Sequence, residues 1–332
     1  MNIDKKFIDS FVHTTERAAY GASLFKGKND KIGADREAVN EMRKQLNNID
    51  MKGKIVIGEG ELDEAPMLYI NEEVGTKRGE ELDIAVDPLE GTNFTAKNLP
   101  NALSVLAVTH KSNLLNAPDT YMEKIAIGPG LPENLVDLDF SVEKNIRLLS
   151  DAKNVSPHQI NACVLKRPRH NKIIEALNSL NVKINFITDG DVSGVISVAK
   201  PSTYIDIYLG IGGGPEGVLA AAALSCLSCQ MQTRLVFQNE DEKNRAKKMG
   251  IKELNTKYYL KDMVKGDVIF CATGVTNGDM VKGIKDLGDS FEAETLLLHK
   301  SSNTNKIIKN IIKKWTLLQS VERTGYLKNS VL

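Results

Sequence analysis

Residues 82–92 read Leu82-Asp83-Ile84-Ala85-Val86-Asp87-Pro88-Leu89-Glu90-Gly91-Thr92. The apolar run at the start has the length and bounds of a buried β-strand, and it ends in a carboxylate. Pro88 has no N–H and a fixed φ, which predicts that the strand stops at Asp87. Glu90 brings a second carboxylate into the same turn. Gly91 and Thr92 add backbone N–H groups and a hydroxyl where a helix can begin, and a helix start attracts anions. Carboxylates, a hydroxyl and bare amides set this close suit a hard divalent cation beside a phosphate. A strand-to-helix turn with an Asp cap accounts for any one of these residues, but not for the set.

The chain has 332 residues, long enough for a large core built as two domains or subdomains. Lys plus Arg and Asp plus Glu are equal at 43 each, so no bulk charge directs the protein to nucleic acid or membrane. No apolar run approaches a bilayer span, and the start Met1-Asn2-Ile3-Asp4-Lys5-Lys6 lacks the apolar core of a signal peptide. A soluble cytoplasmic protein is expected. Cys163, Cys226, Cys229 and Cys271 do not make a disulfide framework in a chain of this size. Cys226 and Cys229 follow the apolar segment 218–224 with no second Cys or His pair at zinc spacing. They read as small buried residues on a helix.

Outward from the opening stretch, residues 13–25 and 35–46 predict helices. In the second of these, Val39, Met42 and Leu46 share one face, opposite Arg36, Glu37, Arg43 and Lys44. A strand at 54–57 leads into the acidic turn 58–64. Pro66 then fits the first turn of a helix continuing over 67–74. Residues 102–109 are a further buried strand. The second half alternates more regularly: strand 161–165, helix 171–180, strand 182–188, strand 204–209, an Ala-rich helix, and strand 268–272. This alternation predicts an α/β protein with a sheet covered on both faces. The irregular stretch 129–139 is a candidate connection near a domain boundary. The Lys-rich segment 306–314 reads as the solvated face of a terminal element.

Acidic residues recur where predicted strands end or helices begin: Asp35, Glu59 with Glu61, Asp87 with Glu90, and Glu216. Asp35 reads equally well as a helix N-cap. In one cleft these groups repel, because two carboxylates about 4 Å apart cost roughly 4 kcal/mol at an effective dielectric of 20. Such a cluster needs a cation, and all-oxygen donors favour Mg²⁺ or Mn²⁺ over zinc. The segment Gly210-Ile211-Gly212-Gly213-Gly214-Pro215-Glu216-Gly217 follows a strand and opens a helix, as a dinucleotide loop does. However, Pro215 stands at the third glycine's place and Glu216 puts a negative charge where a pyrophosphate would sit. Close backbone approach to a ligand, with Glu216 aimed at a metal, fits better. The cationic loop Lys166-Arg167-Pro168-Arg169-His170 reads either as a phosphate grip or as a solvated loop. Asp189-Gly190-Asp191 can hold sugar hydroxyls or cap the next helix. No histidine pairs with a Ser or Cys as a nucleophilic triad requires.

Taken in order, these motifs resemble the class II fructose-1,6-bisphosphatases of the GlpX type, some of which also accept sedoheptulose 1,7-bisphosphate. The resemblance runs from about Thr14 to Asn277. It rests on residues 57–67, 83–92, 117–124, 168–170, 189–191 and 212–217. It implies a layered α-β-α-β-α sandwich of the sugar and inositol phosphatase superfamily, assembled as a homodimer or homotetramer. It implies hydrolysis of the 1-phosphate of fructose 1,6-bisphosphate, in gluconeogenesis or the reductive pentose phosphate cycle. Asp35, Glu59, Asp87, Glu90 and Glu216 match its Mn²⁺ or Mg²⁺ ligands. Thr92 matches its catalytic hydroxyl, with Glu59 and Glu61 as accompanying carboxylates. Glu90, Gly91, Thr92, Tyr121, Arg167, Pro168, Arg169, Asp189, Gly190, Asp191 and Gly213 match its substrate site. At Arg167 the family usually has Lys. Because the α/β alternation becomes regular from residue 161, residues 1–160 are expected to form an α+β domain with the metal and phosphate site. Residues 161–332 become an α/β domain supplying substrate loops and the ligand Glu216.

Overall fold

A computed structural model describes residues 2–58, 68–200 and 203–314. In chain order the elements are α1 (Phe7–Ser23), α2 (Lys31–Leu46), β1 (Met51–Ile57), β2 (Glu73–Val74), β3 (Glu80–Glu90), α3 (Thr92–Lys97), β4 (Leu103–His110) and β5 (Tyr121–Ile127). There follow α4 (Val142–Ala152), β6 (Asn161–Leu165), α5 (Asn171–Ser179), β7 (Lys183–Ile187), α6 (Asp191–Ile196), β8 (Ile207–Gly213), α7 (Gly214–Ser225) and β9 (Gln230–Val236). The chain continues with α8 (Glu240–Lys248), β10 (Lys257–Tyr259), α9 (Leu260–Met263), β11 (Ile269–Gly274), β12 (Lys285–Asp286), β13 (Ser290–His299) and β14 (Thr304–Lys313).

Strands β12-β13-β11-β4-β3-β1-β2 form one sheet in that order, with β14 on the far edge of β13. Only β1 and β3 run parallel within it. The other sheet has the order β10-β9-β5-β8-β6-β7, and β6 runs parallel to both β7 and β8. On the outer face of the first sheet, Ile84, Val86, Leu106 and Val108 pack against Phe11, Met42 and Leu46 of α1 and α2. Its inner face offers Ala85, Val105 and Ala107 to the apolar side chains of α7, and beyond them to Met122, Ala126 and Tyr208 of the second sheet. The outer face of that sheet buries Ile125, Val164 and Leu209 against Ile146, Leu149 and Leu177 of α4 and α5. The result is the α-β-α-β-α sandwich that the family resemblance implies, with two sheets where the alternation of elements alone predicts one. It explains why β3 and β4 are apolar at successive positions, since neither face meets water. It also explains the alanines of α7: a helix between two sheets is buried all round and must be thin.

Some local readings change. α2 begins at Lys31, and its cap is Asp30, whose carboxylate accepts from Gly33 N at 2.8 Å. Asp35 therefore lies inside the helix and does not cap it. β3 does not stop at Asp87 but runs on to Glu90. The pairing jumps from Asp87↔Val105 to Glu90↔Leu103, so Pro88 lies in a bulge, where a missing N–H does not interrupt the ladder. The helix read over 67–74 is absent from 68–74. Asn71 takes φ 77°, Arg43 grips Glu72 at 2.7 and 2.8 Å, and Val74 pairs with Gly53 of β1. β8 lies later than read, with glycines inside the strand. The Lys-rich segment is the edge strand β14, its lysines mostly exposed. The chain crosses between the sheets after β4 and returns at β11, so neither sheet changes over at residue 160. No helix among the described residues is long and apolar enough to cross a membrane.

Candidate active site

A cavity of about 260 Å³ opens where several elements begin or end. Asp87 and Glu90, the two ends of the bulge in β3, both line it. Gly91 caps α3 with φ 81°, a left-handed turn that costs a glycine nothing, and Thr92 opens that helix. Gly190 makes the same turn at φ 79° and delivers Asp191 as the first residue of α6, with Asp189 just before it. Glu216 enters from the first turn of α7, where Pro215 is tolerated and the helix dipole favours a carboxylate. Asp35 of α2 completes the wall. A smaller cleft of about 140 Å³ adjoins Asp87 and Glu216 and is also lined by Gly58 and Asp119. Glu59 and Glu61 lie outside the described residues.

The electrostatics of the cavity are those of an acidic cluster short of cations. Glu90 is buried and its carboxyl is held well above the usual glutamate range. Burial is the main cause, and Asp191, Glu216 and Asp189 add to it. Its Oε1 accepts from Val192 N at the start of α6, while Oε2 is buried with no hydrogen-bond partner. Burial also raises Asp35 and Glu216; for Glu216 the nearby Lys124 ammonium works in the opposite direction. Among the described residues no three His, Cys, Asp or Glu side chains are gathered as a ready metal cage. The donors still fit a hard divalent ion: they are all oxygen, they are negatively charged, and one buried lone-pair site on Glu90 is unanswered.

The remaining expected residues stand in a separate group. Tyr121 of β5 pairs with Gly213 of β8, and the Arg169 guanidinium lies over the Tyr121 ring at 4.6 Å. Arg169 also forks onto the Ile211 carbonyl at 2.9 and 2.7 Å, which uses two of its five N–H donors. Arg167 is half-buried and donates to its neighbour's carbonyl. Pro168 opens a single 3₁₀ turn that ends at His170. His170 is buried; Ile211 N donates to its Nε2 at 2.8 Å, so its proton is on Nδ1, donated to the Leu165 carbonyl at 2.6 Å. Burial lowers its pKa and keeps it neutral. It is a pin that ties the cationic loop to β8. Gly213 has its place because a Cβ there would stand 2.6 Å from Glu216 Cδ.

Lys124 and Tyr208 were not read as site residues, yet both bind Asp191: Lys124 Nζ donates to Oδ2 and Tyr208 OH to Oδ1. The signal was present in the strand's alternation, which puts Lys124 on the same face as Met122 and Ala126. An ion on an apolar face is informative. The cysteines carry no such message, for burial pushes Cys226 and Cys229 up to about 12.

The family model described as bacterial fructose-1,6-bisphosphatase, glpX-encoded, matches residues 5–312. The chain belongs to that family. The class 2 fructose-1,6-bisphosphatase of Haemophilus influenzae is 42% identical over 315 residues, covering 91% of this chain and 94% of that protein. The fructose-1,6-bisphosphatase 1 class 2 of Escherichia coli is 43% identical over 315 residues, covering 91% and 93%. Among solved structures, extragenic suppressor protein suhB from Bartonella henselae aligns over 60% of this chain and 74% of that one, at 9% identity and a TM-score of 0.34. The resemblance drawn from the motifs is borne out, and within this bisphosphatase family the match extends beyond Asn277 to nearly the end of β14.

Proposed function

We propose that this chain is a divalent-metal-dependent phosphatase that hydrolyses the 1-phosphate of fructose 1,6-bisphosphate to fructose 6-phosphate and phosphate. The observation that carries the chemistry is the unanswered Oε2 of Glu90 in a pocket of further carboxylates, directly beside the Gly91–Thr92 helix start. Asp35, Asp87, Glu90 and Glu216, with Glu59, would hold Mg²⁺ or Mn²⁺. Such an ion offsets the carboxylate and phosphate charge and makes water a better nucleophile.

The chain's own residues do the rest. The Thr92 hydroxyl orients the attacking water, and the amides of Gly91 and Thr92 meet the phosphoryl oxygens where charge develops. Asp189 accepts from sugar hydroxyls. Arg167 and the remaining N–H groups of Arg169 hold the distal phosphate, with Tyr121 and His170 keeping that loop in place. A bisphosphate is the substrate class that uses both groups of residues at once. Assembly as a homodimer or homotetramer belongs to the same proposal and is read by light scattering.

The test is phosphate release by the purified protein from fructose 1,6-bisphosphate, sedoheptulose 1,7-bisphosphate and inositol 1-phosphate, each with Mg²⁺ and with Mn²⁺. Metal-dependent release from fructose 1,6-bisphosphate is expected. No metal dependence, or faster release from inositol 1-phosphate, overturns the reading.

A further inference from the structure

Lys124 is the one buried lysine among the described residues. It projects from β5 into the apolar layer between the sheets, where an ammonium is tolerated only if it is paired and hydrogen-bonded. Its partner is Asp191 Oδ2; the other oxygen, Oδ1, accepts from Tyr208 OH, itself fully buried. The chain keeps room for both members of the pair. A Cβ on Gly217 of α7 would stand 3.0 Å from Lys124 Cε, and a Cβ on Gly212 of β8 would stand 2.7 Å from Asp191 Cγ.

The pair is also connected to the catalytic side. Asp191 is the first residue of α6, and the next residue, Val192, donates its N–H to Glu90 Oε1. Holding Asp191 therefore holds the helix start that grips Glu90, a residue that lines the cavity and whose Oε2 has no hydrogen-bond partner. Among the described residues that line this cavity there is no cation, while Asp35, Asp87, Asp189 and Glu216 all face it.

We propose that Lys124 is a positioning residue: a built-in cation that fixes Asp191 and, through the first turn of α6, aims Glu90, so that the acidic cavity keeps its shape before any divalent ion enters. The part played by the divalent ion rests on the function proposed above. The coupling between Lys124 and Asp191 does not.

Lys124→Met keeps the length of the side chain and removes its charge. Melting is followed in EDTA and in saturating Mn²⁺, for this variant and for the double variant Lys124→Met/Asp191→Asn. In EDTA the single variant should melt roughly 4–7 °C below wild type, the cost of stranding one partner of a buried pair in a protein of this size. Asp191→Asn should restore most of that loss by removing the stranded charge. Mn²⁺ should raise the melting temperature of the single variant more than that of wild type. Recovery by Asp191→Asn decides the matter: a double variant no more stable than the single one makes Lys124 a packing residue and overturns the proposal. If Lys124→Met does not fold, a folded double variant supports the proposal, and failure of both overturns it. Wild-type protein that Mn²⁺ leaves unchanged sinks the metal reading alone, because the Asp191→Asn arm needs neither metal nor substrate.

Discussion

Gly212→Ala is the substitution on which the geometry makes its sharpest demand. A methyl at this position would stand 2.7 Å from Asp191 Cγ and 3.0 Å from Oδ1. Ordinary carbon contacts lie at about 3.5–4.0 Å, so the carboxyl must recoil by about 1 Å. It cannot do so freely, because Lys124 and Tyr208 hold its two oxygens in a buried place. Overpacking of this kind costs about 1–3 kcal/mol, and a broken buried ion pair about 3–5 kcal/mol. The two overlap, so a total near 3–5 kcal/mol is expected, or a melting temperature lower by roughly 4–7 °C. Because Asp191 opens the helix that grips Glu90, turnover should also fall, by about 100-fold for a misplacement near 1 Å. Melting curves and metal-dependent phosphate release check both figures. Gly130→Ala is the control, since a methyl there meets nothing within 4 Å and only the backbone at φ 78° is strained. Wild-type melting together with wild-type turnover in Gly212→Ala refutes the reasoning.

Thr92→Ala should lower kcat by about 100-fold or more with KM for fructose 1,6-bisphosphate little changed, because a hydroxyl that orients water acts in the transition state. Arg169→Ala should mainly raise KM, as it removes a charge from the distal phosphate and a stacking partner from Tyr121; an unchanged KM speaks against that placement. Glu90→Gln should abolish activation by Mn²⁺ or Mg²⁺, and full activity in this variant sinks the metal assignment. The same variant tests a pH effect. The folded protein raises the Glu90 pKa above the ordinary 4.5, so the metal-free fold binds that proton more tightly than the unfolded chain does. The contribution of Glu90 to stability is therefore fully present below 4.5 and is lost as pH rises through the raised value. Melting in EDTA across this range should show a shallower decline in Glu90→Gln than in wild type.

Periodicity and local chemistry carried the reading a long way. The buried strands β1, β3, β4, β6 and β11, the amphipathic α2 and the Ala-rich α7 were legible because burial acts on every side chain of an element and leaves a pattern, whereas β5, β9 and β13, which mix polar with apolar positions, were not read as strands. Where the reading failed, a distant partner had overridden local preference. Pro88 sits inside β3 because the bulge against β4 gives it a place without a ladder bond. Residues 68–74 leave the helical path because Arg43, from α2, holds Glu72. The Asp35 cap is a different case, decided locally: the helix starts one turn earlier, where Asp30 accepts from Gly33 N.

By itself the sequence determined the class of chemistry, since carboxylates, a hydroxyl and a helix start packed into residues 87–92 leave few alternatives to a metal beside a phosphate. The five layers came through the family resemblance, for the apolar strands and the Ala-rich helix by themselves read as a single sheet covered on both faces, where the fold has two. Only the tertiary structure decided which carboxylates share a cavity and what holds them there. Lys124 is 67 residues from Asp191 in the chain, and Glu90 is 102 from Val192. Charges placed that far apart interact only after two sheets have been packed face to face, and no local pattern records which of them will meet.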